Sequence, residues 1–76
     1  MEFIVLGIKR KVGEYEGRSY DNTYLHCSYF DDKMDEGVAV TTVKVKTDYL
    51  DEPISVGDKV RFFYDRYGNA VQVDIL

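Results

Sequence analysis

Between Tyr20 and Tyr29 the chain reads Tyr-Asp-Asn-Thr-Tyr-Leu-His-Cys-Ser-Tyr, and the two-residue period of a strand splits it into unlike faces. Asp21, Thr23, Leu25, Cys27 and Tyr29 form one face, increasingly apolar toward its end. Tyr20, Asn22, Tyr24, His26 and Ser28 form the other. The solvent side of a strand ordinarily carries charge or Thr. Flat rings interleaved with hydrogen-bonding groups suit single-stranded nucleic acid instead, because every base has a π-face, and stacking it on an aromatic ring is worth roughly 1–3 kcal/mol. Tyrosines are also ordinary cross-strand partners, so what stands beside the rings decides the reading. The β-branched stretch from Val38 to Thr47 supplies cations. With Val43 and Val45 pointing into a core, Thr42, Lys44 and Lys46 point out next to Tyr20, Tyr24 and His26. A one-residue slip of register would destroy that juxtaposition.

Two further rings have basic neighbours: Tyr15, between Gly13 and Gly17, and Tyr67, in the turn Arg66-Tyr67-Gly68-Asn69. The candidate phosphate contacts are Arg10, Lys11, Arg18, Lys44, Lys46 and Arg66. Catalytic chemistry finds little footing. His26 is the only histidine, and the strand period turns it away from its neighbour Cys27, so the two form no nucleophilic pair. Asp31, Asp32, Asp35 and Glu36 lack the ordered spacing and central Gly of a calcium loop. Gly13-x-x-x-Gly17 is followed by no helix and is neither a P-loop nor a dinucleotide fingerprint. A single cysteine is too few for an internal disulfide or the usual zinc spacing. No enzyme and no cofactor are expected.

The net charge of −4 argues against nucleic acid only as an average. Four acids lie in Asp31–Glu36 and four in Asp48–Asp58; outside those two segments nine bases face six acids. A basic stripe on an acidic protein still pairs phosphates, although it steers them weakly from a distance. No apolar run approaches the length that crosses a bilayer, and the chain shows no secretory h-region, so no membrane partner and a cytoplasmic location are expected.

The positioning elements are strands. The first runs from Glu2 to about Val12, with Gly7 as a bend or bulge, and Gly13–Ser19 is a flexible loop or hairpin tip. The second spans about Ser19 to Phe30, the acidic turn Asp31–Gly37 follows, and the third is Val38 to Thr47. One helical turn is expected over Tyr49–Glu52, capped by Asp48 and stopped by Pro53. Strand four is Lys59 to Asp65, and strand five, after the Tyr67-Gly68-Asn69 turn, is Ala70 to Leu76. The alternation assigns Leu25, Cys27, Tyr29, Val43, Val45, Val60, Phe62, Tyr64, Val71, Val73 and Ile75 to the core. Strand one contributes Ile4, Leu6 and Ile8, or Phe3 and Val5 if the bulge shifts its register. Five strands in 76 residues must curl shut to remove open edges. The expectation is one all-β domain over residues 1–76, a small five-stranded barrel of the OB type, with an SH3-like barrel as the other option. A core this small and unstapled favours a homo-oligomer.

The basic-and-glycine segment Glu16-Gly17-Arg18-Ser19-Tyr20 is followed by a cysteine in an apolar strand end, Leu25-His26-Cys27. A Val-rich strand carrying lysine comes next, and then a glycine-containing final hairpin, Asp65–Asn69. From about residue 9 to 75 this pattern resembles the small single-stranded DNA-binding proteins of filamentous phages, the gene V or helix-destabilising family, and similar proteins of phages and mobile elements. The resemblance implies a dimer of OB-like barrels that coats single strands cooperatively during DNA replication. It would make Tyr20 a stacking residue, Arg18 and Lys9-Arg10-Lys11 phosphate contacts, and Lys46 a groove residue. The expected function is therefore single-stranded DNA binding without sequence specificity, with RNA as a further possible ligand. The rival is a protein-interaction barrel that uses the same tyrosines as a hot-spot patch.

Overall fold

The computed structural model covers residues 1–76. Five strands, β1 (Phe3–Tyr15), β2 (Arg18–Tyr29), β3 (Ala39–Lys46), β4 (Lys59–Tyr64) and β5 (Ala70–Ile75), close into a barrel in the order β1-β2-β3-β5-β4. All pairings are antiparallel except the contact of β3 with β5, Val45 opposite Ala70. This is a small OB-like barrel, and a 3-10 turn at Thr47–Tyr49 is its only helical element.

β1 carries the decisive irregularity. Val5 stands opposite Cys27 and Gly7 opposite His26, so Leu6 is an extra residue that β2 does not match. Before this bulge β1 also closes the barrel, with Phe3 opposite Val60 and Ile4 opposite Lys59. At the bulge it changes neighbours. The Val5 N–H donates to Asp58 O (2.9 Å), and the Val5 carbonyl accepts from Gly57 N–H (2.8 Å). Beyond it, β1 continues with β2 alone as a long hairpin, and the molecule is elongated, 46 × 23 × 22 Å. The expected flexible loop at Gly13–Ser19 is therefore mostly strand. Only Glu16 and Gly17 turn, both at positive φ (50° and 76°), the geometry that matches the twist of a two-residue hairpin.

The core forms one cluster around Leu25, Val5, Val45, Val60 and Cys27, with Phe3, Phe62 and Ala70 completing it. The Phe3 ring packs edge-on against Phe62, centroids 5.1 Å apart, and tilted against Tyr29 at 5.4 Å. Tyr29, Val43, Val73 and Ile75 pack around this cluster half-buried, as do Leu50 and Ile54 from the β3–β4 connection. Of the two register options for β1, Phe3 and Val5 face inward; Ile4 is half-buried, and Leu6 and Ile8 are exposed. Two more core assignments fail. Val71 is the unmatched residue of a second irregularity, where Tyr64 pairs with Ala70 and Phe63 with Gln72, so Ala70 turns inward in its place. Tyr64, at the end of β4, is exposed. The helical turn also lies earlier than expected. Lys46 occupies its N-terminal cap without a side-chain bond, and Asp48 sits inside the turn.

Only 10 of 76 residues are buried, so each core side chain carries a large share of a small stability margin. Leu25→Ala is expected to cost about 3 kcal/mol, and Leu6→Ala less than about 0.5 kcal/mol. Denaturant melts of the two variants beside the parent check the contrast.

Candidate nucleic-acid interface

β2 is the middle strand of a three-stranded sheet, and residues directly opposed across antiparallel strands share a face. Lys9, Tyr24 and Lys44 stand in one cross-strand row. Lys11, Asn22 and Lys46 form the next, and Gly7, His26 and Thr42 lie on the other side of the first. Toward the hairpin tip the face continues with Gly13 opposite Tyr20 and Tyr15 opposite Arg18. Rows two residues apart along a strand are separated by about 6.8 Å. The juxtaposition of Tyr20, Tyr24 and His26 with Thr42, Lys44 and Lys46 thus holds in the structure.

Local contacts set the postures of several of these side chains. The Tyr20 ring lies over Gly13, where a β-carbon would stand 2.5 Å from the phenol oxygen. Glycine at that position lets the ring lie down on the hairpin, and Tyr20 remains 38% exposed. His26 Nδ1 and Thr42 Oγ1 are hydrogen-bonded at 2.8 Å, which fixes the imidazole on the open face. The Lys46 ammonium lies 5.7 Å from the centre of the Tyr49 ring. A groove of about 940 Å³ runs along this region, lined among others by Tyr20, Asn22, Lys44, Lys46 and Tyr49, with Asp65 and Asn69 of the β4–β5 turn on its border. Arg66 and Tyr67 belong to that turn but stack on each other, guanidinium to ring centre 5.1 Å, and do not line the groove. Tyr15 and Arg18 stand at the exposed hairpin end, also outside it, and Lys9, Lys11, Tyr24 and His26 lie on the sheet face but do not line the groove.

Arg10 departs from its expected place. It pairs with Thr23, on the opposite face from Lys9 and Lys11, and grips the Asp21 carboxylate with two nitrogens, Nε at 2.9 Å from Oδ1 and Nη2 on Oδ2. Thr47 Oγ1 donates to the same carboxylate at 2.7 Å and shares a 2.8 Å hydrogen bond with the buried Thr23 hydroxyl. This clasp ties β1, β2 and the 3-10 turn together at the base of the hairpin. The Arg10 hydrogen bonds, followed by that from Thr47, hold the Asp21 carboxyl down at about 2, and Asp21 in turn raises the Arg10 guanidinium. A guanidinium engaged by a carboxylate in this way is not free for phosphate.

Lys9 takes the place foreseen for Arg10, a residue that alternation counted from the strand's start misplaces because the Leu6 bulge intervenes. Asn22, between Lys11 and Lys46, and Gly13, beneath Tyr20, complete the face. The groove also contains acids. Asp21 is neutralised by Arg10, and Asp65 accepts N–H bonds from Asn69 and Tyr67 that lower its pKa. Glu14 and Asp48 line the groove together with Lys44 and Lys46. Cys27 is buried and its Sγ approaches the Leu25 carbonyl at 3.6 Å; burial pushes its thiol pKa up, which suits packing rather than nucleophilic attack. No helix is long and apolar enough to cross a membrane. No family model matches the chain, and neither a curated protein nor a solved structure matches it.

The Asp21 shift has a definite pH signature. A carboxylate whose folded pKa lies below its unfolded value of about 3.9 adds stability above that value and loses it as pH falls toward about 2. Between about pH 4 and pH 2 the parent's melting temperature should fall more steeply than that of Asp21→Asn, as followed by circular dichroism.

Proposed function

We propose that this chain is a non-enzymatic protein that binds single-stranded DNA without sequence specificity. The observation that carries the reading is the pair of cross-strand rows, Lys9–Tyr24–Lys44 and Lys11–Asn22–Lys46, on one face of the sheet. Bases stack on Tyr24 and Tyr20, and the lysines on either side of β2 pair with the phosphates. Asn22, between the two rings along the strand, offers both a donor and an acceptor to a base edge. Because ring faces accept any base, the face has no strong sequence preference. Glu14 and Asp48 repel phosphate and keep the nucleic-acid backbone on the lysine rows. RNA fits the same face, since no side chain on it is placed as a dedicated reader of the 2′-hydroxyl. In this reading the protein works as a homodimer in the cytoplasm, coating strands exposed during replication of a phage or mobile element.

Fluorescent oligo(dT) titrated over a salt series tests the reading. Five cations share the face, Lys9, Lys11, Arg18, Lys44 and Lys46. The slope of log affinity against log salt should therefore be no steeper than about −3.5. Lys9→Ala should flatten it by about 0.7, whereas Arg10→Ala, already committed to Asp21, should leave it unchanged. Tyr24→Ala should weaken binding by roughly 1–3 kcal/mol. Gly13→Ala should lift the Tyr20 ring and reproduce the loss seen with Tyr20→Ala. Absence of binding at low salt would refute the proposal, and binding of polypeptide with a flat salt response would favour the protein-interaction barrel instead.

A further inference from the structure

β3 is paired along its whole length on one side only. Toward β2 it is matched from Ala39 to Lys46, whereas toward β5 its one partner is Ala70, opposite Val45. No turn or loop bond reaches the main chain between Ala39 and Val43. The edge over that stretch is therefore open, and Ala-Val-Thr-Thr-Val carries neither the charge nor the proline that usually protects one. Both sides of the stretch are partly uncovered. On the core side Thr41 and Val43 are only half-buried. On the outer side Val40 (68% exposed) shares a shallow depression with the bulge residue Leu6 (51%), and Val38 (54%) lies just before the strand. Charge sits at the two ends. Lys44 closes the stretch at one, and the exposed Asp32, Asp35 and Glu36 precede it at the other.

We propose that this edge takes an extended segment of a different protein as an added antiparallel strand. The segment has an acid at its N-terminal end, β-branched or apolar residues in its middle and bases at its C-terminal end. A row of unpaired peptide groups is matched by another peptide backbone, and the apolar stretch beside it offers nothing to a phosphodiester. Antiparallel pairing, which β3 already makes with β2, is the stronger ladder per residue. An antiparallel strand begins beside Lys44 and ends beside the acidic turn, which fixes the order of its charges. Between those ends one of its side chains meets Thr42 on the outer face, and the next on that face meets Val40. A second copy of β3 does not meet these terms, because Ala39–Lys46 contains no acid to face Lys44. Tyr20, Tyr24, Lys9 and Lys11 take no part, so the edge is distinct from the tyrosine face. The proposal stands whether or not that face binds DNA.

The test is fluorescence anisotropy of the full chain, without DNA, titrated into the labelled peptide Glu-Val-Thr-Val-Ile-Ala-Lys-Lys. Its Glu falls beside Lys44, its Thr opposite Thr42 and its Ile opposite Val40. The peptide should bind saturably and slow amide hydrogen exchange between Ala39 and Val43. Exchanging its acid for Lys and its bases for Glu should weaken binding roughly tenfold, and Lys44→Glu in the protein roughly fivefold. Two prolines in place of the peptide's adjacent Thr and Val should abolish binding, since one of them loses an N–H aimed at β3. Val40→Lys, at an exposed site and folded by circular dichroism, should abolish it too. A parent that does not bind the peptide would overturn the proposal, as would equal binding of the charge-exchanged or proline-containing peptide. Loss of binding in Tyr24→Ala would move the peptide to the tyrosine face. Exchange protection of Ala39–Val43 that rises with protein concentration alone would give the edge to a second copy, and either result overturns the proposal.

Discussion

One unmatched residue governs the face of this barrel. Leu6 interrupts the alternation of β1, so the residues on the core side of the sheet are odd-numbered before it (Phe3, Val5) and even-numbered after it, where Ile8, Arg10 and Val12 have run past the core and are exposed. Without the bulge, Val5 would be followed on that side of the strand by Gly7, Lys9 and Lys11. The bulge puts both lysines on the open face beside Tyr24 and Asn22. It also marks the point where β1 leaves β4, with the Val5 peptide groups satisfied by Gly57 and Asp58. Closure of the barrel and composition of its outer face thus follow from the same local irregularity.

The clasp at Arg10 is the complement of that shift. Once Lys9 faces outward, Arg10 must face inward on a stretch of hairpin that has left the core behind. A long side chain there needs an acid, and Asp21 meets it, one row closer to the hairpin tip. Thr47 and Thr23 extend the contact into the body of the barrel, so the hairpin is anchored at its base by polar groups where apolar packing has run out. The pair is solvent-accessible and contributes little energy by itself. Its effect is on position, because it joins β1, β2 and the 3-10 turn at the base of the hairpin that carries Tyr20.

Much of this was legible in the chain. The alternation from Tyr20 to Tyr29 and from Thr42 to Lys46 names the faces of β2 and β3 correctly, because each strand is regular and each has one strongly apolar face. The strand count and the all-β barrel are legible in the chain, whereas the order β1-β2-β3-β5-β4 is seen only in the structure. The errors fall where a two-residue period breaks. Arg10 stands among the expected phosphate contacts, and Lys9 enters only through the resemblance, because the bulge at Gly7 leaves two registers of β1 open and residue type does not choose between them. Alternation assigns Val71 inward because its irregularity leaves no mark in residue type. Gly13 reads as a loop residue and widens the expected hairpin tip, whereas its lack of a β-carbon accommodates the Tyr20 ring.

The acidity of the chain bears on how such a face can work. Several acids are turn acceptors: Asp31 takes the Lys33 N–H, Asp58 the Ser55 N–H and Asp65 those of Tyr67 and Asn69. A small barrel needs many tight turns, and carboxylates close them well, so part of the net charge of −4 is a by-product of architecture. These charges still cancel the lysines at a distance. At physiological ionic strength, however, screening acts over about 8 Å, so a phosphate lying on the Lys9–Tyr24–Lys44 row responds mainly to that row. Long-range attraction is thereby lost while short-range pairing survives. In the proposed reading, such a face draws more of its affinity from ring stacking, and less from counterion release, than one on a basic protein. Under that proposal the balance confines attachment to strands whose bases are already unpaired, because a duplex offers its phosphates freely but keeps its base faces hidden.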